Sequence, residues 1–144
     1  MYKTVIWATD GSDAADRALV HAKALASDAG GQVLIVHCEE YLHAAPRGGR
    51  YPLDANPEEL RAKLERQAAE LSAAGVQASV HIVEASADGA AHAIADFAAD
   101  EKADVVVVGT RGHTAFAGLL LGSVTQRLLH VSPCPVLAVP PAGR

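Results

Sequence analysis

The chain lacks the residue patterns that mark most metal and catalytic sites. Its two cysteines, Cys38 and Cys134, form neither a Cys-x2-Cys pair nor a metal set. Flanked by apolar residues, they read as buried free thiols rather than as a disulfide. The seven histidines are scattered, and no His-x3-His spacing supports zinc. No Gly-x4-Gly-Lys-Ser/Thr loop is present, so no loop lysine bridges terminal phosphates. Gly122-Ser123-Val124-Thr125 is not a nucleophile elbow, because no glycine stands two residues after the serine. Basic residues are not in excess: 12 Lys and Arg face 17 Asp and Glu. The resulting net charge of -5 argues against a broad nucleic-acid footprint. No apolar run of about 18 residues suggests a membrane span. Met1-Tyr2-Lys3-Thr4-Val5 enters a strand too early for a signal peptide. A cytoplasmic protein is the simplest reading.

What is present is a globular composition. Half of the 144 residues are apolar and a fifth are charged, which suits one domain with a substantial core. No internal repeat or second domain is evident. Strand-like runs alternate with helical patterns, the signature of βαβ units and a parallel sheet. A first strand is expected over 3–8 and a helix over 13–29, with Ala15, Leu19, Ala22, Leu25 and Ala26 buried. Gly30-Gly31 stops that helix, and a second strand covers 32–38. Residues 39–55, rich in Gly, Pro and charge, read as the longest irregular stretch, a surface loop.

Asn56-Pro57-Glu58-Glu59 restarts helix with an N-cap, a proline at the first helical position and an acid at the third. Leu60, Leu64 and Leu71 mark its inner face, and Gly75 ends it. A third strand, 77–83, alternates as a half-exposed strand does. Asp88 reads as the cap of a third helix that turns Ala90, Ile94, Phe97 and Ala98 inward. The fourth strand is the valine run 105–108, followed by a helix over 124–131 and a last strand over 135–139. Five strands and four helices give a doubly wound α/β sheet, whose strand order the pattern alone leaves open.

Residues 105–125, VVVVGTRGHTAFAGLLLGSVT, are the most informative stretch. Four β-branched residues in succession suit a strand buried on both faces. Gly109 at its carboxyl end allows a sharp turn and the approach of a ligand. Ser123 is placed to cap the next helix, whose free N–H groups attract anions. Strand, glycine loop and helix N-terminus together describe a phosphate cradle. The competing reading makes Gly109 and Gly122 turn and cap residues only.

Gly109-x2-Gly112-x9-Gly122-Ser123 resembles the nucleotide-binding signature of the ATP-binding universal stress proteins. Val5-Ile6-Trp7-Ala8-Thr9-Asp10-Gly11-Ser12 resembles that family's first strand and Asp-containing turn. Val33-Leu34-Ile35-Val36-His37 resembles the second strand, and Pro133-Cys134-Pro135-Val136-Leu137-Ala138-Val139 the closing one. These segments keep the family's order over nearly the whole chain. The resemblance implies a five-stranded parallel, Rossmann-like sheet of order 3-2-1-4-5, with helices on both faces. In such sheets ligands bind beyond the carboxyl ends of the strands where the winding reverses. With that order the two motif regions meet in one crevice.

There the resemblance implies an adenine-nucleotide site. Its phosphates would lie against the N–H groups of Gly112, Ser123, Val124 and Thr125, with the Ser123 and Thr125 hydroxyls available. Arg111 adds charge toward the phosphates or is a solvated loop residue, and His113 is within reach of a phosphate but reads more readily as an exposed loop residue. Asp10 would meet the ribose hydroxyls or a phosphate-bound Mg²⁺; from the residues alone, an Asx turn or helix cap stands beside that role. Ala8, Thr9, Cys38 and Val108 correspond to backbone or apolar contacts around adenine and ribose. Ala8 departs from those members that carry proline there. Residues 115–121, AFAGLLL, read as packing over the loop or at a dimer contact.

The expected ligand is ATP, with Mg²⁺ held through its phosphates, and catalysis amounts at most to slow hydrolysis. A slow ATPase or phosphotransferase, and a cyclic-AMP binder like some relatives, are the alternatives. The resemblance further implies a homodimer joined through the last strand. Neither nucleic acid nor a membrane is an expected partner, and the downstream protein partner is not named by the sequence.

Overall fold

β-branched runs alternating with helices faced by alanine and leucine generate the element order of this computed structural model. It describes residues 1–44, 49–52, 56–110 and 122–141. These form β1 (Thr4–Ala8), α1 (Asp13–Ala29), β2 (Gln32–Glu39), β3 (Tyr41–Ala44), β4 (Gly49–Pro52) and α2 (Pro57–Ala73). There follow β5 (Gln77–Glu84), α3 (Ala90–Asp100), β6 (Val105–Gly109), α4 (Ser123–Val131) and β7 (Val136–Val139).

Five strands form one sheet in the order β5-β2-β1-β6-β7, every neighbouring pair parallel. This is the expected 3-2-1-4-5 winding, with β1 at the centre. Side chains alternate across the sheet. Val5, Trp7, Val33, Ile35, Val105 and Val107 meet α1 and α2 on one face. Ile6, Ala8, Leu34, Val36, Val106 and Val108 meet α3 and α4 on the other. The valine run is therefore buried from both sides, as its composition predicts. On α1 the innermost stripe is Ala15, Ala18, Ala22 and Ala26, with Leu19 and Leu25 at its margins. Small side chains there leave room for the indole of Trp7, which is fully buried.

Two contacts fix the start of β1. Asp104 Oδ2 accepts from the backbone N–H groups of Lys3 and Thr4, each at 2.8 Å, and its own N–H donates to Thr4 O at 2.8 Å. Lys3 O accepts from Gln32 N at 2.8 Å and packs directly against Gly31. A Cβ at position 31 would press on that carbonyl and stand 2.7 Å from Lys3 Cα, both rigid backbone. Gly31→Ala is therefore expected to cost about 1–3 kcal/mol, as overpacking does. A lowered urea midpoint with unchanged slope would show it.

Four expectations change. Residues 39–55 are not irregular throughout: β2 runs to Glu39, and β3 and β4 form a two-stranded antiparallel sheet pairing Tyr41 with Pro52 and Ala44 with Gly49. The cap of α3 is Gly89 at φ 100, not Asp88; it makes no side-chain cap bond, and the Asp88 carbonyl lies 3.1 Å from His92 Nδ1. β5 is half-buried along its interior rather than alternating, because it is an edge strand packed by α2 and α3. Neither Cys38 nor Cys134 forms a disulfide, and both are only half-buried, since Cys38 lies near the end of β2 and Cys134 just ahead of β7 rather than in the sheet interior. The Asn56 cap is as expected, accepting from Glu59 N at 3.1 Å with Pro57 in the first turn. Among the described residues, no helix is long and apolar enough to cross a membrane.

Candidate functional site

The winding reverses between β1 and β6. After β1 the chain turns to the α1 face, and α4, which follows β6, packs on the opposite face. The carboxyl ends of both strands therefore open side by side, with Ala8 paired to Val108. Sheets of this kind place ligands in such a crevice.

On one wall is the turn between β1 and α1. Thr9 N donates to Val36 O at 3.0 Å, carrying the ladder one residue beyond β1. Gly11 N donates to Thr9 Oγ1 at 3.0 Å. Asp10 Oδ1 accepts from Ser12 N at 2.9 Å and Ser12 Oγ at 2.6 Å, an Asx turn. Ser12 Oγ in turn accepts from Ala15 N at 3.2 Å and caps α1. Of the two readings of Asp10, the turn is thus present and uses one carboxylate oxygen. Gly11 adopts φ 84, the left-handed region, and sits against Leu60 of α2, so a side chain there is strained and requires the end of the Leu60 side chain to shift.

The second wall is the start of α4. Gly122, not Ser123, is its N-cap; Ser123 is the first helical residue and is exposed. Gly122 N donates to Thr110 O at 2.6 Å and Thr110 N to Val139 O at 3.0 Å, tying this end to β6 and β7. The first bond within the helix runs from Gln126 N to Gly122 O at 3.0 Å. The N–H groups of Ser123, Val124 and Thr125 therefore lie ahead of the helical ladder. No acid occupies the first turn, so the positive end of the helix dipole meets no carboxylate of its own. The Thr125 hydroxyl, expected to be available, is buried and donates to Gly109 O at 2.6 Å. It holds the end of β6 to α4.

Between the walls, Ala8, Val108 and Cys38 lie toward the α3 and α4 face. Ala8 and Val108 are buried, while Cys38 is half-buried beyond the end of the β1–β2 register. The structure thus brings together Ala8, Thr9, Asp10, Cys38, Val108, Gly109, Gly122, Ser123, Val124 and Thr125 at one end of the sheet. Arg111, Gly112, His113 and residues 115–121 lie outside the described residues.

Sequence reasoning missed two supports of this site. His37, buried on β2, has Nδ1 2.9 Å from Thr9 O. Its signal was a polar residue inside an apolar strand. Lys63 Nζ donates to Gly11 O at 2.8 Å and pairs with Asp16 at 2.7 Å, and Gln67 Nε2 donates to Asp16 Oδ1 at 3.0 Å. An ion pair this accessible adds little stability by itself. Its lysine nevertheless fixes the Gly11 carbonyl, and no sequence signal announced it. Among the described residues, no three His, Cys, Asp or Glu side chains converge as a metal site.

Known proteins resemble this chain in sequence and fold. The chain is 39% identical over 143 residues to a universal stress protein in the QAH/OAS sulfhydrylase 3′ region of Thermus aquaticus, covering 96% of this chain and 99% of that one. Universal stress protein MJ0577 of Methanocaldococcus jannaschii is 30% identical over 158 residues, covering 96% and 95%. The solved structure of MJ0577 superposes with a TM-score of 0.81 at 28% identity, over 100% of this chain and 99% of that chain. A universal stress protein solved in complex with cAMP superposes at 0.70 with 28% identity, over 96% and 97%. The model of the Universal stress protein family matches residues 1–140, and the chain belongs to that family.

Proposed function

We propose that this protein is an adenine-nucleotide-binding regulatory module that takes ATP, with Mg²⁺ held through the phosphates. The observation that carries the reading is the convergence of the Asp10 turn with the open N-terminus of α4 at the winding reversal. In this reading the phosphates meet the N–H groups of Ser123, Val124 and Thr125, with Arg111 and Gly112 contributing as the glycine spacing implies. Adenine and ribose rest on Ala8, Thr9, Cys38 and Val108, and Asp10 faces the ribose or the metal. Gly109 leaves room for the ligand beside β6.

Magnitudes require the whole crevice. A helix N-terminus supplies about 0.3–2 kcal/mol toward an anion, whereas micromolar affinity needs about 8 kcal/mol. Hydrogen bonds to charged groups add about 1.5–3 kcal/mol each, and burial of adenine supplies the remainder. The chain carries no loop lysine of the Gly-x4-Gly-Lys type, so the reading is of a binder rather than an efficient hydrolase. The protein acts in the cytoplasm as a homodimer joined along the edge of β7, where Leu137 is exposed and Leu129 of α4 stands exposed as well.

A second ligand, cyclic AMP, is favoured by the similarity to the family member solved with cAMP. Calorimetric titration of nucleotide-free protein with ATP, with and without Mg²⁺, and then with cyclic AMP separates the two. ATP is expected to bind with a Kd of about micromolar order, strengthened by Mg²⁺. Tighter binding of cyclic AMP would replace the reading with that of a cyclic-nucleotide sensor, and no heat from either would overturn both.

A further inference from the structure

His37 occupies a position where burial alone would favour an aliphatic side chain. It follows Val33 and Ile35 on the face of β2 turned toward α1 and α2, and it is 4% exposed. A buried imidazole is costly unless its nitrogens are hydrogen-bonded. Here Nδ1 lies 2.9 Å from Thr9 O, which can only accept, so Nδ1 carries the hydrogen. Thr9 is thereby tied to β2 twice, through its N–H to Val36 O at 3.0 Å and through its carbonyl to His37. The carbonyl of a trans peptide and the following N–H point in opposite directions. Holding Thr9 O toward His37 therefore sets the plane of the Thr9–Asp10 peptide and sends the Asp10 N–H to the other side.

We propose that His37 is a positioning residue for the nucleoside half of the nucleotide site. It presents the Thr9–Asp10 peptide in the one orientation that adenosine contacts require, without touching ligand itself. This rests on the nucleotide-binding reading above. The phosphate half is anchored separately, through the bonds from Thr125 Oγ1 to Gly109 O and from Gly122 N to Thr110 O, neither of which involves β2. Loss of His37 should thus separate the two halves of the ligand.

The test compares wild type, His37→Asn and His37→Phe in titrations with ATP and with inorganic tripolyphosphate. Asparagine places an amide donor close to where imidazole Nδ1 stands, whereas phenylalanine fills the space without a donor. His37→Phe is expected to weaken ATP about tenfold and leave tripolyphosphate within about twofold, while His37→Asn stays within about threefold of wild type for both. Circular dichroism and urea midpoints establish that each variant is folded. Wild type that binds no ATP would sink the nucleotide reading itself. Wild type that binds ATP no better than His37→Phe would overturn the role of His37 alone. Equal ATP losses in the Asn and Phe variants, or a parallel loss of tripolyphosphate, would equally overturn it, since a donor that orients the peptide serving one half of the ligand predicts neither.

Discussion

Gly122→Glu is expected to abolish measurable ATP binding, weakening it at least about a hundredfold, while the protein stays folded. The two halves of this expectation rest on separate facts. Gly122 has φ -68 and ψ 158, extended backbone open to any residue, so glutamate introduces no backbone strain. Its structural contribution is main-chain only: its N–H donates to Thr110 O and its carbonyl accepts from Gln126 N. A glutamate retains both bonds. What changes is the space and charge beside the N–H groups of Ser123, Val124 and Thr125. The new carboxylate can take those donors for itself, as acids at helix N-termini do. It also repels a phosphate about 4 Å away by about 1 kcal/mol in water, rising to about 4 kcal/mol in a partly shielded crevice. Calorimetry with ATP reads the binding, and an unchanged urea midpoint reads the fold. Wild-type affinity in the folded variant would remove α4 from the site.

Much of the scaffold was legible because local and global demands agree. The valine run is equally apolar on both sides because both its faces are covered, and Asn56-Pro57 announces α2 by supplying a cap acceptor and a preset φ. The glycine spacing and Asp10 likewise pointed to the two strand ends that the sheet order brings together. The failures have physical causes. The β3–β4 pair escaped notice because each strand is only four residues long and β4 begins with glycine and ends with proline, which suppress the usual strand pattern. Asp88 looked like a cap because aspartate often is one. The backbone instead bends at Gly89, whose φ of 100 turns the chain before α3, and composition does not reveal dihedrals. The supports of the site were hidden by distance: Lys63 reaches a carbonyl 52 residues away, and His37 one that is 28 residues away. Such pairings exist only once α2 and β2 are docked, and no window along the chain contains them.

Trp7→Ala is expected to remove about 3–5 kcal/mol of unfolding stability, the range for emptying a large aromatic site. Trp7 is the chain's single tryptophan, lies at the centre of the sheet on β1, and is completely buried. Its register partners Ile35 and Val107 flank it, and the alanine stripe of α1 covers it. Alanines cannot extend into the cavity an alanine at position 7 would leave, so relaxation can recover little of the loss. The indole also fixes α1 against β1, because Nε1 donates to Ala15 O at 3.0 Å. That bond ties strand to helix across the Thr9–Ser12 turn, so the same substitution should loosen the wall that carries Asp10. Trp7→Phe separates these effects: it keeps most of the ring and loses the N–H, and is expected to cost about 1–2 kcal/mol. Urea unfolding followed by circular dichroism measures all three proteins, and the intrinsic fluorescence of wild type reports the burial of this one side chain. Since domains are typically stable by about 5–15 kcal/mol in total, the alanine variant should sit near the edge of folding, and a loss below about 1 kcal/mol would contradict a central packing role for the indole.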